Sequence, residues 1–395
     1  MSRRANRRMI SIHTAITAMM LALLLPAPAV SQKLYYPDKK WEVADPEEMG
    51  LNRELLDSAV SFAINNETST ERDLRIAILR SFGREPFFRI IGPVRPRGGP
   101  SGMVIKGGYI VAQWGDTRRP DMTFSVTKSF LSTIGGLALD DGLIDDIDDY
   151  AADYVWSGKY ESSHNSKIKW RHLLNQTSDW SGELFGIYDW ADRPPRLGGI
   201  DEWSRRELHE PGTRYQYNDV RVNLLAYSLL HIYRQPLPVV LKDRIMDPIG
   251  ASSSWRWYGY ENSWVNIDGI KMQSVSGGAH FGGGMFISAE DQARFGLLFL
   301  RKGEWKGEQL ISREWVGSVT ETTPGTNYGY MWWSNERGSW RGVPGSVYYA
   351  SGFGGNYIIV DNENDIVVVL RWIDSRAAGT FMRILTEATG GTPNN

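Results

Sequence analysis

The chain has 395 residues, 42% of them hydrophobic and 23% charged, a balance that excludes wholesale disorder, a collagen-like repeat and a coiled coil. Forty-four Lys and Arg against 46 Asp and Glu leave a formal charge of −2, which gives no bulk attraction to nucleic acid or an anionic membrane. With no cysteine, thiol nucleophiles, disulfides, zinc-thiolate sites and iron–sulfur ligation are excluded, and oxygen and nitrogen chemistry remains.

Arg3, Arg4, Arg7 and Arg8 precede an apolar stretch from Met9 to Leu25, and Pro26 to Ser31 then offers small residues at signal-peptidase spacing. Residues 1–31 therefore read as a cleaved export signal. The competing reading is a retained membrane anchor, but Ser11, His13, Thr14 and Thr17 interrupt the stretch, and it is short for a hydrocarbon core of about 30 Å. Cleavage would leave a mildly acidic mature domain, residues 32–395, exported to a periplasmic or extracellular space without stable membrane insertion. Ser2-Arg3-Arg4 leaves a twin-arginine route open, although Ala5-Asn6-Arg7 fits that pattern poorly.

Between Asn52 and Asn65, Leu55, Val60, Phe62 and Ala63 recur at helical spacing, predicting an amphipathic helix that covers a sheet. Arg84 to Gly99 is rich in Pro, Gly and Arg and reads as an exposed loop. Met103-Val104-Ile105 and Tyr109 to Ala112 flank Lys106-Gly107-Gly108, a hairpin signature. From Ser125 to Gly278 helical runs alternate with aromatic loops. Strand-like sequence returns at Val347 to Tyr349, Tyr357 to Val360 and Ile366 to Leu370, with a turn at Asp361 to Asn364. A helix from Gly379 to Thr389 ends at Gly390-Gly391. No repeat is present. The fold class that follows is α+β: one mostly antiparallel sheet assembled from about 100–115 and 345–372, flanked by helices, with a helical lobe inserted at about 125–280 and a cleft between lobes.

Ser125-Val126-Thr127-Lys128 opens a run in which Phe130, Leu131, Ile134 and Leu137 share one helical face, so Ser125 sits at a helix N-terminus. Residues i and i+3 lie on the same face, which lets the Ser125 hydroxyl meet the Lys128 amine beside unpaired N–H groups. A lysine serves as base at neutral pH only if its pKa falls by about three units from about 10.4. Desolvation and nearby positive charge would have to supply that fall. The competing reading is an ordinary N-cap serine. A second copy of the tetrapeptide, Ser166 to Lys169, lies in polar sequence without an apolar face.

Asp140, Asp141, Asp145, Asp146, Asp148 and Asp149 do not follow calcium-loop spacing and read as a solvated helix end. The six histidines contain no H-x-x-x-H pair, so no metal and no other cofactor is expected, and His280 reads as packing beside a glycine loop. Of the 16 tryptophans, Trp180, Trp190, Trp255, Trp257, Trp332 and Trp333 stand in loop-like sequence, some of them available to wall an apolar pocket. No G-x-S-x-G occurs, so an α/β-hydrolase nucleophile elbow has no candidate.

Five ordered blocks extend the Ser125 signal: Thr123 to Phe130 with Gly142 to Asp146, Trp170 to Ser178, Pro211 to Asp219, Gly282 to Ala289, and Ser351 to Gly355. Together they resemble the serine hydrolases related to β-lactamases, a superfamily with class C β-lactamases, penicillin-binding D,D-peptidases, family VIII esterases and nylon-oligomer hydrolases. The resemblance spans nearly all of the mature chain. It implies the β-lactamase/transpeptidase-like fold, Ser125 as nucleophile, Lys128 as its partner, and Tyr217 as general acid/base from the Tyr-x-Asn element. Here that element is Tyr217-Asn218-Asp219. Asp219 replaces the usual asparagine and, if close, would favour charged Lys128 and shift the proton work to Tyr217. Tyr260-Glu261-Asn262 matches the tripeptide literally but lacks the flanking sequence, and Tyr215 reads as a packed aromatic.

The last block normally begins with a cation, where this chain has Ala350-Ser351-Gly352. Its loss argues against anionic β-lactam or D-Ala-D-Ala substrates. The resemblance also implies an oxyanion hole from the amides of Ser125 and Phe353, with Ser351, Gly352 and Asp219 around the substrate. The expected activity is hydrolysis of a small-molecule ester or amide through an acyl-serine. The alternatives are a D,D-peptidase or β-lactamase, and a non-catalytic sensor on the same fold.

Overall fold

The computed structural model describes residues 34–390, and from Tyr36 onward they form one compact unit. The leader read at residues 1–31 and Gly391 lie outside the described residues. Asn52 opens α1 (Arg53–Asn65) by accepting the Leu55 N–H at 2.9 Å. The helix buries Leu56, Ala59 and Ala63, with Leu55, Val60 and Phe62 half-buried alongside, so its core face is rotated from the expected one. After α2 (Leu74–Phe82), residues 84–99 carry no helix or strand. That loop is not simply exposed: Ile91 and Arg97 are buried, and Arg97 pairs with Glu67 at 2.6 Å.

The hairpin of β1 (Ser101–Lys106) and β2 (Tyr109–Trp114) turns on Gly107 and Gly108, both at positive φ as a tight primed turn requires. Then come β3 (Asp121–Met122), α3 (Thr127–Asp140), α4 (Trp170–Leu174), α5 (Asp219–Tyr233), β4 (Arg256–Ile267), β5 (Ile270–Val275), β6 (Gly284–Ile287) and α6 (Ala289–Leu300). The chain ends with β7 (Tyr328–Gly329), β8 (Trp332–Ser334), β9 (Tyr348–Gly352), β10 (Asn356–Asp361), β11 (Ile366–Arg371) and α7 (Ala378–Ala388).

The main sheet has the order β7-β8-β9-β10-β11-β1-β2, antiparallel throughout. β1 pairs with β11 from Ser101↔Arg371 to Lys106↔Ile366, so the two ends of the chain close one sheet, as expected. Side chains alternate faces along a strand. Met103, Ile105, Ile358, Val360, Val367 and Val369 therefore face one core with α6, while Val104, Ile359, Val368 and Leu370 face another with α1 and α7. Helices on both faces explain why β11 is continuously apolar; each such side chain contributes about 1.5–3 kcal/mol by leaving water.

The middle of the chain is not purely helical. β3-β6-β4-β5 form a second antiparallel sheet, which corrects the expectation that strands return only near the C-terminus. β4 hid because Glu261-Asn262-Ser263 interrupt its alternation where its pairing shifts between Gly259 and Trp264. Arg371 joins the two sheets, donating to Asn356 Oδ1 at 2.7 Å and to the carbonyls of Ile287 and Met122 at 2.9 Å. No helix among the described residues is long and apolar enough to cross a membrane.

Candidate active site

Ser125 lies in a single 3₁₀ turn, Phe124–Val126, that leads from β3 into α3. Phe124 stands at φ +49°, a conformation that costs a bulky residue energy and that only a firm surround maintains. The surround is visible. A Cβ on Gly352 would fall 2.2 Å from the Thr123 carbonyl and 3.2 Å from the Ser125 nitrogen, so β9 lies directly on the turn. Ser125 makes no side-chain cap of the helix, which removes the N-cap explanation. The helix is buried from Thr127 through Ala138 rather than amphipathic, and it carries Lys128 into the interior. There Lys128 Nζ donates to Ser125 Oγ at 2.9 Å and to Asp219 Oδ1 at 2.6 Å.

Tyr217-Asn218-Asp219 arrives from the start of α5, and a loop ahead of it fixes the position. The Asn218 side chain caps α5 by accepting the Arg221 N–H at 3.0 Å. The Asn218 N–H donates to Gln176 Oε1 at 2.6 Å, the Asn218 amide to the Asp189 carbonyl at 2.7 Å, and the Asp219 N–H to Asp192. Tyr217 reaches the lysine with its ring, whose centroid is 4.7 Å from Lys128 Nζ. Among the described residues no hydrogen bond joins the Tyr217 hydroxyl to Ser125.

The competing motifs fall away. Tyr260 accepts from Asn223 at 2.9 Å within the core, Tyr215 packs on Tyr328, and Ser166 donates to the Ser163 carbonyl while Lys169 faces Asp148. Part of the acidic run pairs with distant segments: Asp148 takes Arg171, Asp141 takes Arg244, and Asp140 accepts the Ser312 N–H.

The electrostatics of the site centre on Asp219. Its Oδ2 lies 2.6 Å from Arg193, whose guanidinium also holds Asp192 at 2.5 Å and stands over the Tyr217 ring at 5.2 Å. Burial opposes the Lys128 ammonium, but the Asp219 carboxylate and then Tyr217 outweigh it and hold its pKa above the ordinary lysine value. Lys128 and then Arg193 overcome burial likewise and keep Asp219 well below the usual carboxylate range. The free site thus holds Lys128 as an ammonium, the outcome foreseen for an acid at position 219. Asp219 is fully buried behind Lys128 and does not line the cavity, so its expected place beside the substrate is corrected.

His280 sits behind this pair, with Nε2 2.6 Å from Glu85 Oε2 and Nδ1 3.9 Å from Asp219. Glu85, Asp192 and His280 offer donors within 4.8 Å of one another. Asp192 is already taken by Arg193 and the Asp219 N–H, and Glu85 by a hydrogen bond with His280, so these three side chains sit in a connected polar network.

Above Ser125 opens a cavity of about 540 Å³. Ser351, Gly352 and Phe353 form one wall, Tyr217, Trp333 and Arg193 another, and Asp374 and Arg376 stand at its margin. Trp333 is the tryptophan that takes the walling role, whereas Trp180 and Trp332 belong to the core. Ala350 is buried and offers no cation. Arg193 and Asp192 carry no signal in the sequence, since nothing in Trp190-Ala191-Asp192-Arg193-Pro194-Pro195 separates a site loop from any polar turn, and neither does Glu85 in its Arg84-Glu85-Pro86 loop.

A serine hydroxyl held by a buried lysine and facing an open cleft is an arrangement suited to acyl transfer, the chemistry of a serine hydrolase. The chain belongs to the beta-lactamase family, whose sequence pattern matches residues 102–372. It is 22% identical over 316 residues to a 6-aminohexanoate-dimer hydrolase of Paenarthrobacter ureafaciens, covering 68% of this chain and 70% of the relative. Among solved structures, EstCE1, a hydrolase with promiscuous acyltransferase activity, superposes with a TM-score of 0.56 at 15% identity, covering 86% of this chain and 99% of that one. A penicillin-binding protein homologue from Caulobacter crescentus gives 0.54 at 14% identity, covering 86% and 99%. At these identities the solved structures speak to the fold.

Proposed function

We propose that this hydrolase cleaves a small, uncharged ester or amide through an acyl-enzyme on Ser125. The observation that carries the reading is the 2.9 Å contact between Lys128 Nζ and Ser125 Oγ under an open cavity. Ser125 Oγ attacks the carbonyl carbon as its proton passes to the Tyr217 oxygen in the proton-free, phenolate state of the site, the state that the charged Lys128 beside the ring pairs with. The tetrahedral oxyanion is received by the N–H groups of Ser125 and Phe353, each worth about 3 kcal/mol. Collapse expels the alcohol or amine, which takes the proton back; water then attacks the acyl carbon by the same proton route and frees Ser125.

Charge around the cavity favours an uncharged substrate. Ala350 supplies no cation, Arg193 is held by Asp192 and Asp219, and Arg376 by Asp374 at 2.7 Å. An anionic β-lactam or peptide carboxylate would meet only arginines already shared with aspartates. The domain is proposed to act outside the cytoplasm, a reading supported by the leader sequence alone. A panel of p-nitrophenyl esters, anilides and a chromogenic cephalosporin, run on wild type and Ser125→Ala, tests the proposal. Ester or anilide turnover that vanishes in Ser125→Ala is expected; equal activity in both proteins overturns the mechanism, and cephalosporin turnover matching the esters overturns the substrate class.

A further inference from the structure

Asp219 has one oxygen for each of two cations, and that division sets how hard it pulls on the lysine. Oδ1 takes Lys128 and Oδ2 takes Arg193, both at 2.6 Å. Arg193 is itself clamped, with Asp192 at 2.5 Å and the faces of Tyr217 and Phe82 at 5.2 and 5.5 Å from its guanidinium carbon. Unlike Lys128, its side chain remains partly open to the cavity. The loop holding it is fixed by the hydrogen bond from the Asp219 N–H to Asp192 and by that from Asn218 to the Asp189 carbonyl.

We propose that Arg193 is a positioning residue for proton transfer at Ser125, neutralising the half of Asp219 that Lys128 does not use and placing a second cation against Tyr217. The proposal rests on the acyl-serine reading above and deepens it. A cation at this place favours the proton-free form of every group beside it, the Tyr217 phenol and the Lys128 amine alike. The sign of its effect is therefore the same whichever of the two accepts the serine proton. Arg193 also works against the Lys128 ammonium, in the opposite sense to Asp219.

The charged and titratable groups facing this centre come from several elements. Lys128 of α3 meets Asp219 of α5 and the Tyr217 ring just ahead of it; Arg193 and Asp192 come from the preceding loop. His280 approaches Asp219 and Asp192 from the loop before β6, with Glu85 behind it. Asp192 and Arg193 carry opposite charges beside one acceptor pair, so their removal should move the profile in opposite directions, which a merely structural loop could not do.

The test is the pH dependence of kcat/KM for a p-nitrophenyl ester in the full-length protein. Arg193→Gln is expected to move the ascending limb to higher pH by about half a unit or more, Asp192→Asn to lower pH, and Arg193→Lys to keep it near wild type. An ascending limb unmoved in both charge-removing variants, with equal losses of rate at every pH, would overturn the role. If Arg193→Gln does not fold, the Asp192→Asn shift decides the question alone. Ser125→Ala separates the two readings: activity surviving there sinks the acyl-serine mechanism, whereas activity lost there with no shift at position 192 or 193 sinks only the role of Arg193.

Discussion

Asp219 shows how one side chain changes the chemistry available to its neighbours. A buried lysine alone would shed its proton, but a carboxylate at 2.6 Å prevents it. Asp219→Asn keeps the shape and removes the charge, so the ascending limb of kcat/KM should move to lower pH by about one unit or more. A limb that stays or rises in the pH profile of that variant would show that Lys128 is not governed by Asp219. Tyr217→Phe deletes the proposed proton acceptor while keeping the ring over both cations. Turnover should fall by about 10²- to 10⁴-fold with unfolding temperature nearly unchanged. That Ser125, Lys128 and Tyr217 come together could be read from the sequence because each sits in a block of fixed local spacing, although Tyr217 meets the lysine with its ring. Arg193, Asp192 and Glu85 could not, since what joins them to the site is a fold of the loop that brings residue 85 against residue 280 and residue 192 against residue 219.

Among elements, the close approach of β9 to the nucleophile turn leaves no room for a side chain at Gly352. Gly352→Ala would drive a methyl into the Thr123 carbonyl and push strand and turn apart. Because a misplacement near 1 Å costs about 100-fold in rate, kcat should fall at least that far in steady-state assays while circular dichroism stays native. The junction of α4 with the loop at Gly212 carries a different signal. His172 accepts the Lys169 N–H through Nδ1, and a Cβ on Gly212 would stand 2.7 Å from its Nε2. Burial, and after it the Lys169 charge, pulls the His172 pKa from 6.5 down to about 4. The unfolded chain therefore binds the proton first: this contribution is complete above pH 6.5 and lost progressively toward pH 4. Part of the ring meets solvent, so the loss is about 1–2 kcal/mol. Urea unfolding across that window should show the slope, and His172→Gln should flatten it. The hairpin and β11 were legible because both carry local signals, a glycine turn and a two-sided apolar run. β4 was not, since its pairing shifts around three polar residues whose fit depends on β5.

For the whole molecule, strands from the two ends of the chain make one sheet, and the central segment returns a second sheet against it. Arg371 fastens the two, with three acceptors and no carboxylate bound directly. Arg371→Met would strand Asn356 Oδ1 and two carbonyls in the interior, costing about 3–5 kcal/mol, to be read as a lowered denaturation midpoint. The fold class was legible because it depends on where strand-like sequence falls along the chain. The inter-sheet tie was not, because an arginine in a strand looks like any edge residue until both sheets are in place. What this architecture delivers is a strained turn, a buried ammonium and an open cavity meeting at Ser125. Intact-protein mass spectrometry after brief reaction with a fluorophosphonate measures that most directly. A single adduct per chain, mapped by peptide digestion to Ser125 and absent from Ser125→Ala, is expected; an unmodified protein, or an adduct on another residue, rules out Ser125 as the nucleophile.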